Sequence, residues 1–248
     1  MNNQDFEAKV ALITGAASGI GFATAQLLAA GGAALLLLDR RADALDDAAQ
    51  TLERAGARVE TLVGDVSDPA SHAASVDAAV SAFGALHLAF NNAGIAGAHG
   101  LPHEVSVDEY HKAIRINLDS VFYGLHFQAP AILAAGRGSI VNTASVAGIV
   151  GVGGMVTYSA TKHAVVGLTR AAAVGYAAQG LRINAVAPGY IDTPLLATAP
   201  RDVLASQHPS GRLGTGSEVA EVVAFLLSER ASNVVGSIVA VDGGYTAQ

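Results

Sequence analysis

Seven short apolar runs, separated by longer alanine-rich stretches, restrict what this chain can fold into. Residues 10–14, 34–38, 59–63, 87–91, 139–143, 182–187 and 238–241 are nearly continuous apolar rather than alternating, as in strands covered on both faces. Between them, a helical period predicts helices over 20–30, 42–55, 69–83, 108–133, 158–179 and 217–227. Start and stop signals agree: Ser67 and Asp68 precede Pro69, while Gly56 and Gly180 follow their helices. A strand–helix succession of this kind predicts an α/β fold, a doubly wound parallel seven-stranded sheet with helices on both faces. No Pro/Gly/Ser linker, charge run or repeat divides the chain, so 1–248 is read as one domain.

Apolar residues make up 51% of the chain and charged residues 14%, which supplies a large core and opposes disorder. A net charge of -7 argues against a nucleic-acid partner. Cysteine is absent, which excludes disulfides and thiolate metal sites and suits a cytoplasmic setting. The N-terminus lacks the pattern of a signal peptide. The greasiest run, LLAAGGAALLLL, is shorter than the ~20 residues a membrane helix needs. The expectation is a soluble protein with no membrane contact.

After the first run comes TGAASGIG, residues 14–21. Glycines let a backbone approach a phosphate, and the helix that follows presents N–H groups and a partial positive charge. Gly15, Ser18, Gly19, Ile20 and Gly21 are therefore the candidate dinucleotide loop; a ligand-free turn would use similar residues. Asp39 closes the second run, where a carboxylate can accept from a ribose diol and repel a 2′-phosphate. That favours NAD over NADP, although Arg40 and Arg41 beside it could pair a phosphate. As a plain turn or helix-cap residue Asp39 would look the same. Asp65 and Val66, after the third run, are candidates for the adenine side.

YSATKHA, residues 158–164, puts a phenol and an ammonium at i and i+4 on one helix face. Spacing alone leaves open an ordinary surface pair. A tyrosine with pKa near ~10 is a poor base at neutral pH, and holding its anion there takes ~3–4 kcal/mol of preferential stabilisation. A neighbouring ammonium favours the charged form.

Taken in order, TGAASGIG, Asp39, Asp65-Val66, NNAG (91–94), Asn117, Ser145, Tyr158 with Lys162, and PGYIDT (188–193) resemble the short-chain dehydrogenase/reductase family over essentially the whole chain. The resemblance is to its NAD-type alcohol dehydrogenase and ketone reductase members. It implies a Rossmann-type domain, a nicotinamide cofactor, hydride transfer and a homotetramer. It implies Tyr158 as acid/base, with Lys162 lowering its pKa and gripping the ribose. Ser145 would hydrogen-bond the substrate oxygen, and Asn117 would hold a water in a proton relay. Asn91, Ala93 and Gly94 would line the cofactor; Pro188, Gly189, Ile191 and Thr193 would contact its carboxamide end. Without the resemblance, Ser145 and NNAG read as turn residues.

The eight histidines do not cluster at metal spacing, so a zinc site is not expected. In some family members a terminal Gln holds a structural magnesium, which makes Gln248 a candidate. The aperiodic stretch 193–216, with three prolines and three glycines, is read as a substrate lid or a surface excursion. His208 lies within it, as a substrate contact or a surface residue; His163 should point away from the catalytic face. Segments 95–99, 146–155 and 190–208 are the candidate pocket, and the first two carry no Arg or Lys. A small uncharged, hydrophobic secondary alcohol or ketone, cyclic or aryl, is the expected substrate. The rivals are an NADPH-dependent 3-oxoacyl-(acyl carrier protein) reductase, which shares the catalytic residues, and a non-catalytic NAD(H) sensor.

Overall fold

The computed structural model describes residues 5–248. Its strands and helices are, in chain order, β1 Val10–Thr14, α1 Gly19–Ala30, β2 Ala34–Asp39, α2 Ala42–Arg54, β3 Val59–Val63, α3 Pro69–Phe83 and β4 Leu88–Asn91. There follow α4 Val107–Ile114, α5 Ser120–Ala134, β5 Gly138–Thr143, α6 Val156–Tyr176, β6 Leu181–Pro188, β7 Ile191–Asp192, α7 Arg201–Ser206, β8 Gly214–Thr215, α8 Gly216–Leu227 and β9 Ile238–Val241. Seven strands form one parallel sheet in the order β3-β2-β1-β4-β5-β6-β9. The parallel seven-stranded α/β architecture expected from the runs is present, and it is of the Rossmann type that the resemblance implies.

β2 shows why these runs do not alternate. Leu35, Leu36, Leu37 and Leu38 are all fully buried, each side chain contributing ~1.5–3 kcal/mol of transfer free energy. Leu35 and Leu37 join Ile13, Phe90 and Val186 beneath Leu28, Leu45 and Val223 of α1, α2 and α8. Leu36 joins Leu12, Ala89 and Ile140 against Val76, Leu125 and Val165 of α3, α5 and α6. Alternation would leave one of these cores polar.

From β1 the chain steps outward to β2 and β3, then returns across the sheet to β4 on the other side of β1. The loops after β1 and β4 therefore part in opposite directions, which opens a crevice at the carboxyl edge. β7 and β8 pair in parallel outside the sheet, Ile191 with Gly214 and Asp192 with Thr215.

Most elements differ from expectation at a boundary by one to three residues, and two differences have a visible local cause. The fourth strand starts at Leu88, not residue 87, because the His87 ring Nδ1 accepts the Val10 N–H at 3.1 Å. The helix expected over 108–133 is α4 and α5 joined by a π-turn, Arg115–Asp119. Such wide turns recur at functional sites, and this one carries Asn117.

Beneath the carboxyl ends of β4 and β5 lies a buried amide network. Asn91 Nδ2 donates to Gln128 Oε1 (3.1 Å) and Asn142 Oδ1 (3.0 Å), while Gln128 Nε2 donates to Asn91 Oδ1 (2.8 Å). Asn142 Nδ2 donates on to Thr169 Oγ1 at 3.0 Å. A Cβ on Gly124 would lie 2.5 Å from Asn91 Oδ1. Gly124→Ala is expected to cost ~1–3 kcal/mol by overpacking, seen as a lower urea midpoint with an unchanged m-value.

Candidate active site

The crevice at the carboxyl edge is a cleft of about 440 Å³. One end is built by the β1–α1 loop. Gly15 and Gly19 adopt left-handed backbone (φ 64° and 56°), and a Cβ on Gly21 would strike the Gly15 carbonyl. Gly21 therefore acts by close packing behind the loop, while Gly15, Ser18, Gly19 and Ile20 line the cleft. Ser18 precedes α1 in extended backbone and makes no side-chain cap to it. The first N–H groups of that helix thus have no side-chain partner from Ser18, a setting suited to a pyrophosphate.

Asp39 is buried at the adjoining end, and all its acceptor positions are used. Its Oδ1 accepts from Arg41 N and Nε, both at 3.1 Å; its Oδ2 accepts from Ala17 N (3.1 Å) and Arg41 Nη2 (3.2 Å). Burial works to raise this carboxyl, but the Arg41 and Ala17 hydrogen bonds outweigh it and hold it below the ordinary carboxylate range. Arg41 also donates to Ser18 Oγ at 2.9 Å, so it bridges the acid and the glycine loop. Asp65 and Val66 line the same end, Asp65 accepting from Ser67 N at 2.8 Å.

The other end holds the catalytic candidates. β5 delivers Ser145, and α6 begins at Val156, which puts Tyr158 and Lys162 on its cleft-facing turns. Lys162 is 3% exposed; its Nζ donates to the Thr143 carbonyl at 2.7 Å and lies 5.6 Å from the Tyr158 ring centroid. Burial pushes its pKa down to about 8. Burial pushes the Tyr158 phenol up, with the Ser145 hydrogen bond opposing it. Ser145 Oγ also accepts the Ala147 N–H at 3.2 Å, which orients the hydroxyl.

Ala93, Gly94, Pro188, Gly189, Ile191 and Thr193 line the cleft as expected. Asn91 does not: its amide turns into the network under the sheet, because strand alternation points it away. Its neighbour Asn92 lines the cleft instead, donating from Nδ2 to the carbonyls of Thr14 (3.1 Å) and Gly15 (3.3 Å). The doubled asparagine of NNAG was the signal that could have found it. Asn117 is fully buried; its Oδ1 accepts Ile95 N at 2.8 Å and its Nδ2 donates to Ile95 O at 2.9 Å. Its amide is thus committed to clamping the loop after β4, and a Cβ on Gly94 would approach its Oδ1 at 3.1 Å. His163 is exposed and its ring meets Ser159 O. His208, by contrast, is buried at 3% exposure. Gln248 is exposed, and no three His, Cys, Asp or Glu side chains converge among the described residues. No described helix is long and apolar enough to cross a membrane.

An α/β sheet with a glycine loop at its switch point and a Ser/Tyr/Lys cluster at the opposite end of one cleft defines a dinucleotide-dependent oxidoreductase. Residues 15–246 match a family model described as enoyl-(acyl carrier protein) reductase. The chain belongs to the short-chain dehydrogenase/reductase family, whose members use nicotinamide cofactors, and is an oxidoreductase of alcohols and ketones. It is 49% identical to a cyclohexanol dehydrogenase of Acinetobacter sp. (strain SE19), covering 100% of this chain and 98% of that one. A crystal structure of levodione reductase superposes with a TM-score of 0.94 at 43% identity, over 98% and 99% of the two chains. A carveol dehydrogenase from Mycobacterium avium in complex with NAD gives 0.95 at 28%, over 99% and 100%.

In this environment the Lys162 ammonium is the protein group placed to favour an ionised Tyr158. Were Tyr158 the base in alcohol oxidation it would act as the phenolate, so removing the ammonium should raise the controlling pKa. Lys162→Met is expected to move the rising limb of kcat/KM for oxidation to higher pH; an unmoved limb would refute the coupling.

Proposed function

We propose that this protein interconverts a hydrophobic secondary alcohol, preferably cyclic, and its ketone with NAD(H). The observation that carries this reading is the composition of the cleft beyond Tyr158. Ala96, Ala147, Val152, Met155, Tyr190, Leu195 and Leu196 are among the residues that line the cleft. Apart from Lys162 on the Tyr158 helix, the charged residues that line it, Asp39, Arg40, Arg41 and Asp65, all come from the ends of β2 and β3. A carboxylate, phosphate or CoA-type substrate would call for a fixed cation among the apolar residues. The cyclic-alcohol and ketone names of the relatives support the same class.

The residues fit a nicotinamide dinucleotide in the unbonded helix start at Ser18, the glycine approach at Gly15 and the acid at Asp39. When bound, its ring supplies the acceptor or donor of hydride. Oxidation then asks Tyr158, as phenolate, to take the hydroxyl proton, and reduction asks it to return one. Ser145 is placed to donate to the substrate oxygen as charge develops there. Lys162 has ammonium protons beyond the one on Thr143, available to ribose hydroxyls. Because the Asn117 amide is held by Ile95, a proton relay at this position would use its main chain, where the π-turn alters the usual hydrogen bonding.

Asp39 supports NAD over NADP, since a buried carboxylate disfavours a 2′-phosphate. For a ribose diol to reach Asp39, the half-exposed Arg41 must give up part of its bridge. The 193–216 excursion serves as a lid over the apolar end, within a single functional unit formed by the whole chain. Exposed Tyr110, Phe122 and Val174 on α4, α5 and α6 support assembly into a homotetramer. A cytoplasmic location suits the lack of cysteine. No metal is assigned to Gln248.

Tyr158→Phe is expected to lower turnover of cyclic ketones with NADH by about 10²–10⁴-fold while fluorescence titration still shows NADH binding. Retained turnover would reject the mechanism, and no turnover by the wild type would favour a sensor. Asp39→Ala should narrow the NAD/NADP ratio of kcat/KM by about tenfold or more; an unchanged ratio would exclude this role. A wild type that prefers NADPH and 3-oxoacyl carrier substrates would establish the fatty-acid reductase reading instead.

A further inference from the structure

We propose that His208 is a positioning residue for the substrate end of the cleft, bolting the return of the 193–216 excursion to the peptide and ring of Tyr190. The proposal rests on the functional reading above. His208 is almost fully buried, and both ring nitrogens are used. Nε2 accepts the Tyr190 N–H at 3.0 Å, and Nδ1 lies 2.7 Å from the Arg212 carbonyl. A peptide N–H only donates and a carbonyl only accepts, so the ring is neutral with its proton on Nδ1.

The imidazole also stacks on Tyr190 (centroids 5.6 Å apart, planes at 28°). Tyr245, from the C-terminal segment, meets both rings edge-on at 5.9 and 6.1 Å. Gly189 makes room: a Cβ there would lie 2.6 Å from His208 Nε2. On its other side, the Tyr190 carbonyl accepts Gly214 N at 3.0 Å. The Tyr190 peptide is thus pinned from both sides by residues 18 and 24 positions downstream, across the root of the excursion. Tyr190 lines the cleft beside Leu195 and Leu196, so this bolt sets the wall that a substrate ring would meet. Gly189, Ile191 and Thr193 of this same turn line the cleft on the cofactor side. The other contacts available to the dinucleotide, however, are spread over β1–α1, β2, β4 and α6, away from the His208 bolt. Loosening the Tyr190 turn should therefore weaken the carbonyl substrate more than the cofactor.

The test compares His208→Leu and His208→Gln, with cyclohexanone and NADH as probes. Leu removes both hydrogen bonds; Gln can accept from Tyr190 and donate to Arg212. H208L is expected to raise KM for cyclohexanone about tenfold or more, with the Kd for NADH within about threefold of wild type and KM largely restored in H208Q. An unchanged KM in H208L, parallel weakening of NADH and ketone, or a Gln variant no better than Leu would overturn the proposal. If H208L does not fold by circular dichroism, H208N replaces it under the same criteria, its shorter amide being unable to span both partners. A wild type inactive on cyclic ketones overturns the functional reading instead, and the His208 comparison is then read on the carbonyl that it does reduce.

Discussion

Burial of the parallel sheet on both faces is the constraint on which the rest of this structure depends. A strand such as β2, with four consecutive leucines fully buried, needs helices above and below it. Parallel neighbours then require crossovers, and every strand delivers its carboxyl end to one edge. Residues distant in sequence meet there for that reason: the loop after β1, Asp39 at the end of β2, the turn after β4, Ser145 after β5 and Tyr190 after β6. The active site follows from how a fully covered sheet must be connected.

At that edge, low solvent access makes electrostatics strong enough to be used chemically. The Lys162 ammonium is placed in the interior with one carbonyl partner, and burial brings its pKa to about 8. Tyr158 is pushed the opposite way by the same burial. The two groups thus have displaced acidities and lie on one helix face, so the charge state of each bears on the other. At the far end, Asp39 and Arg41 form a bonded pair whose exposed partner can move while the acid stays in place. The two ends differ in character within one cleft: one presents a buried carboxylate, the other a phenol beside a buried ammonium.

Much of this was legible beforehand because it rests on local pattern. Continuous apolar runs told strands from helices, and glycines at 15, 19 and 21 marked a turn whose backbone and packing tolerate no side chain. The i,i+4 spacing put Tyr158 and Lys162 on one face. Other features depended on contacts that no local pattern encodes. Asn91 and Asn92 are chemically identical, and only the strand's alternation decides which faces the cleft and which joins Gln128. The helix expected over 108–133 has an unbroken period, yet the Asn117 amide pairs with Ile95 across a π-turn. His208 sits among prolines and polar residues, a setting that reads as surface, and is buried because Gly189, Tyr190 and Tyr245 surround it.

The sequence by itself determined the α/β class, the order of its elements, the glycine loop and the shared helix face of Tyr158 and Lys162, since each rests on residue type and short spacing; Ser145 was marked only by the ordered set of motifs that resembles the family. Tertiary structure alone decided which face each polar side chain took, how Arg41 engages Asp39, and that residues 208–214 return to hold the turn at 190. Those outcomes depend on hydrogen bonds and ring contacts between segments whose meeting is governed by the packing of the whole sheet.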